Sequence, residues 1–136
     1  MWKRSIQPRK QRKYRYNSPY HIKQKFIRAH LSKELKLKYG KRSAGLRTGD
    51  RIKVSRGRLK GKTGKIERVD IKNAKIFVTG IDSSKKEGSK VAIPLEPSNL
   101  MITDLNLEDK KRKVKFEEKV SKAKSSKGDK NGKESS

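Results

Sequence analysis

Apolar positions along the chain change their period near residue 47. Between residues 18 and 40, Ile27, Leu31 and Leu35 recur every fourth position, and Ile22, Phe26 and Leu37 fall on roughly the opposite side. A spacing of four puts side chains on one stripe of a helix. Ser18-Pro19 supplies an N-cap followed by proline at the first helical position, and Gly40 supplies a stop. The pattern predicts a helix over residues 18–40. Ser32 can cap a new turn, so the helix is able to break near His30 and resume. Such a stripe is too narrow for a self-contained bundle.

Beyond residue 50 the period drops to two. Ile52 and Val54 alternate in residues 51–56, Ile76 and Val78 alternate against Phe77 in 74–80, and residues 65–70 read as another short strand with Ile66 and Val69. Residues 91–105 hold one or two more strands, interrupted by Pro94 and Pro97. Glycines 49, 57, 61, 64, 80 and 88 fall mostly between the runs. Short alternating runs separated by turn signals predict a small β-barrel or sandwich. Its expected core is Ile52, Val54, Ile66, Val69, Ile76, Val78, Ile93 and Ile102. No unit of 20–50 residues repeats, so one module is expected.

Composition limits how much of the chain can fold alone. Only 29% of the 136 residues are hydrophobic, below the roughly 45–50% apolar content of ordinary domains. One compact core with flanks ordered on a partner is therefore expected. Four segments follow: a basic arm and helical extension (1–46), the β module (47–105), a basic C-terminal extension (106–120) and a tail (121–136). The tail holds Ser, Lys, Gly, Asp and Glu with almost nothing apolar. Residues 1–17 and 121–136 are expected to be disordered in the free protein.

Charge indicates the class of partner. Forty Lys and Arg stand against fourteen Asp and Glu, a net +26. Residues 1–46 alone carry fifteen basic residues and the single acid Glu34. A polyphosphate relieves that self-repulsion and releases counterions on binding. A membrane surface is the competing polyanion, but no segment is apolar enough to span a bilayer, and no apolar run follows the basic start to make a secretory signal. Cysteine is absent, which excludes disulfides and thiolate chemistry. His21 and His30 are the only histidines, too few for a zinc site, so no metal is expected. Nothing pairs a nucleophile with a base, and no enzyme is expected.

Three basic clusters are the candidate contacts. The arm and helical extension offer Lys3, Arg4, Arg9, Lys10, Arg12, Lys13, Arg15, Lys23, Lys25, Arg28, Lys41 and Arg42 for phosphates. Tyr14, Tyr16 and Tyr20 interleave with them. One of the three is expected to stack on an unpaired base, Tyr14 being the candidate, while Tyr20 suits packing on the barrel. Residues 49–70 carry the second cluster: Arg56, Arg58, Lys60, Lys62 and Lys65 interspersed with turn glycines Gly57, Gly61 and Gly64. Glycine permits positive φ and close backbone approach, and the exposed N–H groups of such a turn can meet phosphate oxygens. A solvated hairpin is the plainer alternative. It is not a nucleotide-binding P-loop, because a strand follows and not a helix. Lys110, Lys111, Arg112 and Lys113 form the third cluster.

The stretch GDRIKVSRGRLKGKTGKIERVD resembles a KOW motif, a strand–loop–strand of ribosomal and transcription-elongation proteins. An elongation factor would add KOW copies or a further domain. Four stretches in order make the resemblance narrower. QPRKQRKYRYNSPYHIKQKF, HLSKELKLKYGKRS, the KOW core and PLEPSNLMITDLNLEDKKRK are together similar to the archaeal and eukaryotic branch of the ribosomal large-subunit protein twenty-four family, called twenty-six in eukaryotes. Residues 7 to about 113 carry it. Leu95-Glu96-Pro97-Ser98-Asn99 departs from the Ile-His-Pro-Ser-Asn frequent in the family. The resemblance implies a mainly β fold, an SH3-like barrel with a basic N-terminal helical extension; the disordered basic C-terminal tail is read from composition alone. It implies binding to large-subunit ribosomal RNA near its 5′ end, nucleation of subunit assembly, and a place near the polypeptide exit tunnel in the cytoplasmic ribosome. Neighbouring large-subunit proteins and nascent-chain factors would be its other partners. No cofactor and no small-molecule substrate are implied.

Overall fold

A computed structural model of the chain describes residues 5–117. Its elements run α1 (Pro8–Asn17), α2 (Tyr20–Phe26), β1 (Arg28–Leu31), α3 (Lys33–Tyr39), β2 (Ser43–Gly45), β3 (Arg51–Val54), β4 (Thr63–Asp70), β5 (Lys75–Val78), β6 (Asp82–Ser84), β7 (Lys90–Ala92), a 3-10 turn (Pro97–Asn99) and β8 (Leu100–Asp104). A final helix, α4, is described over residues 110–117.

Six strands form one sheet in the order β2-β1-β8-β3-β4-β5, and β6–β7 form a separate hairpin. Neighbours are antiparallel except β1 and β8, which run parallel with His30 opposite Met101 and Leu31 opposite Ile102. Strands β3 and β4 each bend at a register shift, at Arg51/Ile52 and Ile66/Arg68. An isolated antiparallel bridge between Ile76 and Leu95 covers the β5 edge with the segment that leads into the 3-10 turn. The result is a mainly β, SH3-like barrel with helices before and after it.

Alternation explains the core. Ile52, Val54, Ile66, Ile76, Val78 and Ile102 are buried as expected, with Leu95 and Leu100 beside them. Val69 and Ile93 lie half-buried at its edge.

The region before residue 47 departs from expectation in four ways. First, residues 28–31 are a strand. Ile27, Ala29 and Leu31 are all buried, an alternation of two that coexists with the spacing of four. The pull of pairing with β2 and β8 decides between the two readings. Second, the arm is helical over residues 8–17, with Pro8 opening α1. Residues 1–4 and the tail 121–136 lie outside the described residues. Third, the Ser18 hydroxyl donates to the Tyr14 carbonyl and closes α1; Pro19 is the N-cap of α2 and makes no side-chain cap bond. Fourth, Tyr20 is 63% exposed and does not pack on the barrel. The restart at Ser32 is found: its hydroxyl accepts from the Leu35 N–H at 3.3 Å, and Gly40 caps α3 at the other end.

A buried ion pair ties α4 to the barrel. Asp50 has no exposed surface and Arg112 is 6% exposed. Their contact is bidentate, Nη1 to Oδ1 at 2.7 Å and Nη2 to Oδ2 at 2.8 Å. The guanidinium also donates to the carbonyls of Asn106 (2.8 Å) and Gly45 (3.0 Å). Asp50 accepts in addition the N–H groups of Arg47 and Asn106, each at 2.9 Å. One turn further along α4, Phe116 meets Tyr39 edge-on, with centroids 5.2 Å apart. Arg112 and Phe116, four apart, thus form the inner face of a helix whose sequence shows no apolar stripe.

Gly64 belongs to β4 and not to the turn. A Cβ there would lie 2.5 Å from Val78 Cγ1 and 2.7 Å from the Thr79 carbonyl oxygen. Its role is the close approach of β5. Gly64→Ala should therefore lower stability by about 1–3 kcal/mol, the usual cost of overpacking. Urea unfolding should show a lower midpoint with an unchanged m-value, and an unchanged midpoint would contradict the close strand packing.

Candidate nucleic-acid interface

The basic loop grows from the β3–β4 hairpin. Backbone bonds lock its root: Gly61 N–H to the Val54 carbonyl and Val54 N–H to the Lys62 carbonyl, both 2.8 Å. Gly57 and Gly61 take φ of 92° and 90°, which reverse the chain tightly; between them Leu59 packs against the core while Arg58 and Lys60 stay exposed. Arg56, Arg58, Lys60 and Lys62 are exposed, and none has an acidic partner among the described residues. Lys65 is exposed on β4, opposite Arg51. The Ser55 N–H donates to the Asn99 carbonyl at 2.8 Å, which fastens the loop to the 3-10 turn.

Arg9, Lys10, Arg12, Lys13 and Arg15 are all exposed on α1. Aromatic contacts hold α1 against α2. Tyr14 meets Phe26 edge-on at 6.3 Å, and the Arg15 guanidinium lies 5.3 Å above the Phe26 ring. Tyr14 is thus the half-buried tyrosine of the arm, and Tyr16 is 81% exposed. Lys23 sits 6.0 Å from the Tyr16 ring, and Lys25 is exposed beyond it.

Two depressions gather the remaining residues. A broad groove of about 910 Å³ brings Arg28, Lys41, Arg42 and Lys111 together with Arg47 and Lys115, and no acidic side chain lines it. Sequence reasoning passed over Arg47 and Lys115, which stand outside the dense basic runs and meet only through α4. The Lys41 ammonium lies 4.1 Å from the Phe116 ring centroid and donates to the Lys115 carbonyl. A narrower cleft of about 390 Å³ lies between the helical arm, the β4–β5 turn and the 3-10 turn.

The third cluster divides. Lys110 and Lys111 are exposed, and Lys113 is exposed beside Glu117 at 3.9 Å. Arg112 faces inward to Asp50, so its expected RNA contact is corrected to a structural role: its guanidinium donors are already engaged inside the protein. Lys3 and Arg4 lie outside the described residues. Four ion pairs join described residues to one another: Arg47–Asp109, Lys75–Glu96, Asp50–Arg112 and Lys113–Glu117. Most of the cationic surface is accordingly uncompensated by the acids of the described residues. Among the described residues, no group of three or more potential ligands could hold a metal ion, and no helix is long and apolar enough to cross a membrane.

A model of the family that unites the eukaryotic ribosomal L26 proteins with their archaeal L24 counterparts matches residues 5–119. The chain belongs to this family. As a member of the ribosomal L26 family it is a structural constituent of the ribosome and not an enzyme. It is 50% identical over 108 residues to "Large ribosomal subunit protein uL24" of Methanosarcina barkeri, covering 79% of this chain and 93% of that protein. The protein of the same name from Methanocorpusculum labreanum is 48% identical over 116 residues, covering 85% and 96%. That of Methanospirillum hungatei is 50% identical over 112 residues, covering 82% and 93%.

Asp109 guards the entry to α4. Its carboxyl is held below the usual carboxylate range, first by the side-chain bond from Arg47 and then by the Lys111 N–H, which donates at 2.9 Å. A depressed folded-state pKa contributes stability above the unfolded value, and that contribution disappears as pH falls through the folded value. Acidification below the ordinary carboxylate range should therefore loosen α4 before the barrel unfolds, seen as loss of the Tyr39–Phe116 ring contact by NMR. Asp109→Asn should remove the portion of this acid sensitivity that depends on the Asp109 carboxylate.

Proposed function

We propose that this protein is a structural constituent of the large ribosomal subunit that binds ribosomal RNA through its exposed cationic faces. The single observation that carries this reading is the sorting of charge. Arg112 is taken into the interior and neutralised there, while the arginines and lysines of residues 9–15 and of the loop 56–62 stay outside with no acidic partner among the described residues. A surface of that kind is electrostatically unfavourable alone and favourable against phosphate. Arginine adds bidentate phosphate contacts that lysine does not make.

The loop supplies cations on a rigid, hydrogen-bonded hairpin, so its contacts are placed before RNA arrives. The helical arm supplies a row of cations suited to a crowded RNA surface. The groove lined by α4 supplies a third, wider surface. The likeness to the ribosomal L26 and L24 proteins, rather than the shape of these surfaces, supports RNA near the 5′ end of the large-subunit ribosomal RNA as the partner, an early role in nucleating assembly, and a final position near the polypeptide exit tunnel. Neighbouring large-subunit proteins, and factors that meet the nascent chain at the exit, are the expected protein partners. The cytoplasmic ribosome is the expected location.

Salt dependence tests the phosphate role. On a transcript of the 5′ region of large-subunit ribosomal RNA, Arg12→Glu/Lys13→Glu/Arg15→Glu should weaken binding and flatten the plot of log K against log salt. Each lost phosphate contact lowers the slope by about 0.7–0.9. Arg58→Glu/Lys60→Glu/Lys62→Glu in the loop should act likewise. Slopes unchanged in both variants would contradict the reading.

A further inference from the structure

The narrow cleft differs chemically from the broad groove. The groove is lined by cations without acids, which suits a phosphate backbone and nothing more selective. The cleft adds the Tyr16 ring, the Glu96 carboxylate and the Ser98 hydroxyl to its cations Arg15, Lys23 and Arg28. At about 390 Å³ it falls within the range of small-ligand pockets, roughly 300–1,000 Å³. From these features we infer that the cleft is a nucleotide subsite: it receives one unpaired base of the bound RNA, stacked on Tyr16. This inference rests on the RNA-binding reading and adds selectivity to it.

Three observations carry it. Tyr16 is 81% exposed although its neighbour Tyr14 is packed, so α1 holds one aromatic face open beside a row of cations. A tyrosine in that position costs apolar exposure in the free protein and offers a π-face to a base. Second, Glu96 is an acid in a cleft of cations, and a carboxylate repels phosphate but accepts hydrogen bonds from base N–H groups. It is steered by Lys75, whose Nζ lies 3.1 Å from Oε1, leaving Oε2 without a partner among the described residues. The Ser98 hydroxyl adds a donor and acceptor that makes no bond among the described residues. Third, the β4–β5 wall is strained. Ala74 has φ 53°, the one positive value at a non-glycine among the described residues. Asp70 stabilises this turn by accepting the Asn73 N–H (3.2 Å) and side-chain amide (2.8 Å). Strain of this kind persists where the surroundings hold it, often at ligand sites.

Continuity argues that the occupant belongs to the same RNA. The Asn99 carbonyl bonded to Ser55 joins the wall containing Ser98 to the root of the basic loop. A strand whose phosphates meet the loop is therefore close to the cleft. The arrangement favours a base with exposed N–H donors toward Glu96, its phosphate toward Lys23 and Arg28.

Chemical probing of Watson–Crick edges on the 5′-region transcript, with full-length protein, tests this directly. Wild type should protect at least one unpaired base. Tyr16→Ala should expose that base again and weaken binding about 5- to 150-fold, the range for loss of one stacking aromatic, with an unchanged salt slope. Tyr16→Phe should keep the protection. If wild type binds the transcript but protects no unpaired base, or if protection survives Tyr16→Ala, the subsite is refuted and the phosphate reading stands. If wild type does not bind the transcript at all, the RNA-binding reading falls and the subsite with it.

Discussion

A carboxylate and a guanidinium taken out of water must satisfy nearly all their hydrogen-bonding capacity on each other or on the backbone, since each isolated charge would cost several kcal/mol to bury. Asp50 and Arg112 meet that constraint together. Two bonds join them, two backbone N–H groups complete the carboxylate, and two carbonyls complete the guanidinium. The pair gathers the end of β2, the turn before β3, the segment after β8 and α4 at one point. These pieces are far apart in sequence, and little else in so polar a chain could hold them. The apolar contribution of α4 comes largely from Phe116 against Tyr39.

Neutralising a cation inside has a consequence outside. Docking α4 aligns Lys111 and Lys115 with Arg28, Lys41, Arg42 and Arg47, and so makes a groove from residues of four separate segments. The barrel does the same for the loop, whose hairpin bonds fix where Arg56 to Lys62 stand. Function in this protein is thus a matter of where a small interior puts a large excess of charge. The interior is just sufficient to place it, and in the proposed function an RNA surface supplies the counter-charge that the chain lacks.

Much of this was legible in the sequence where one signal stood alone. Alternation marked β3 and β5, whose apolar positions recur every second residue, whereas β4 and β8 were legible as short apolar runs between turn signals, with Ile66 and Val69 three apart across a register shift. Ile27 and Leu31 fit a helical stripe with Leu35 as well as a strand, and only pairing with β2 and distant β8 separates the two. Arg112 was read with its neighbours as surface charge, since an inward-facing arginine has no local signature; its partner lies 62 positions away. Gly64 looked like a turn residue because glycine marks both turns and tight strand contacts. The basic arm and loop were identifiable as clusters, whereas the groove and the cleft exist only after folding has brought their walls together. Tyr14 and Tyr16 could not be told apart without knowing which side of α1 faces Phe26.

The central claim is that Asp50 and Arg112 act as one unit that docks α4 on the barrel. A double-mutant cycle tests it most directly: urea unfolding of the wild type, Asp50→Ala, Arg112→Ala and the double variant, all full-length. Each single change leaves a buried charge uncompensated, a loss on the order of 3–5 kcal/mol. The account predicts that the double variant is no less stable than the weaker single variant, so that the two costs overlap strongly. Costs that simply add would show that the two residues stabilise the fold independently, and would contradict the account.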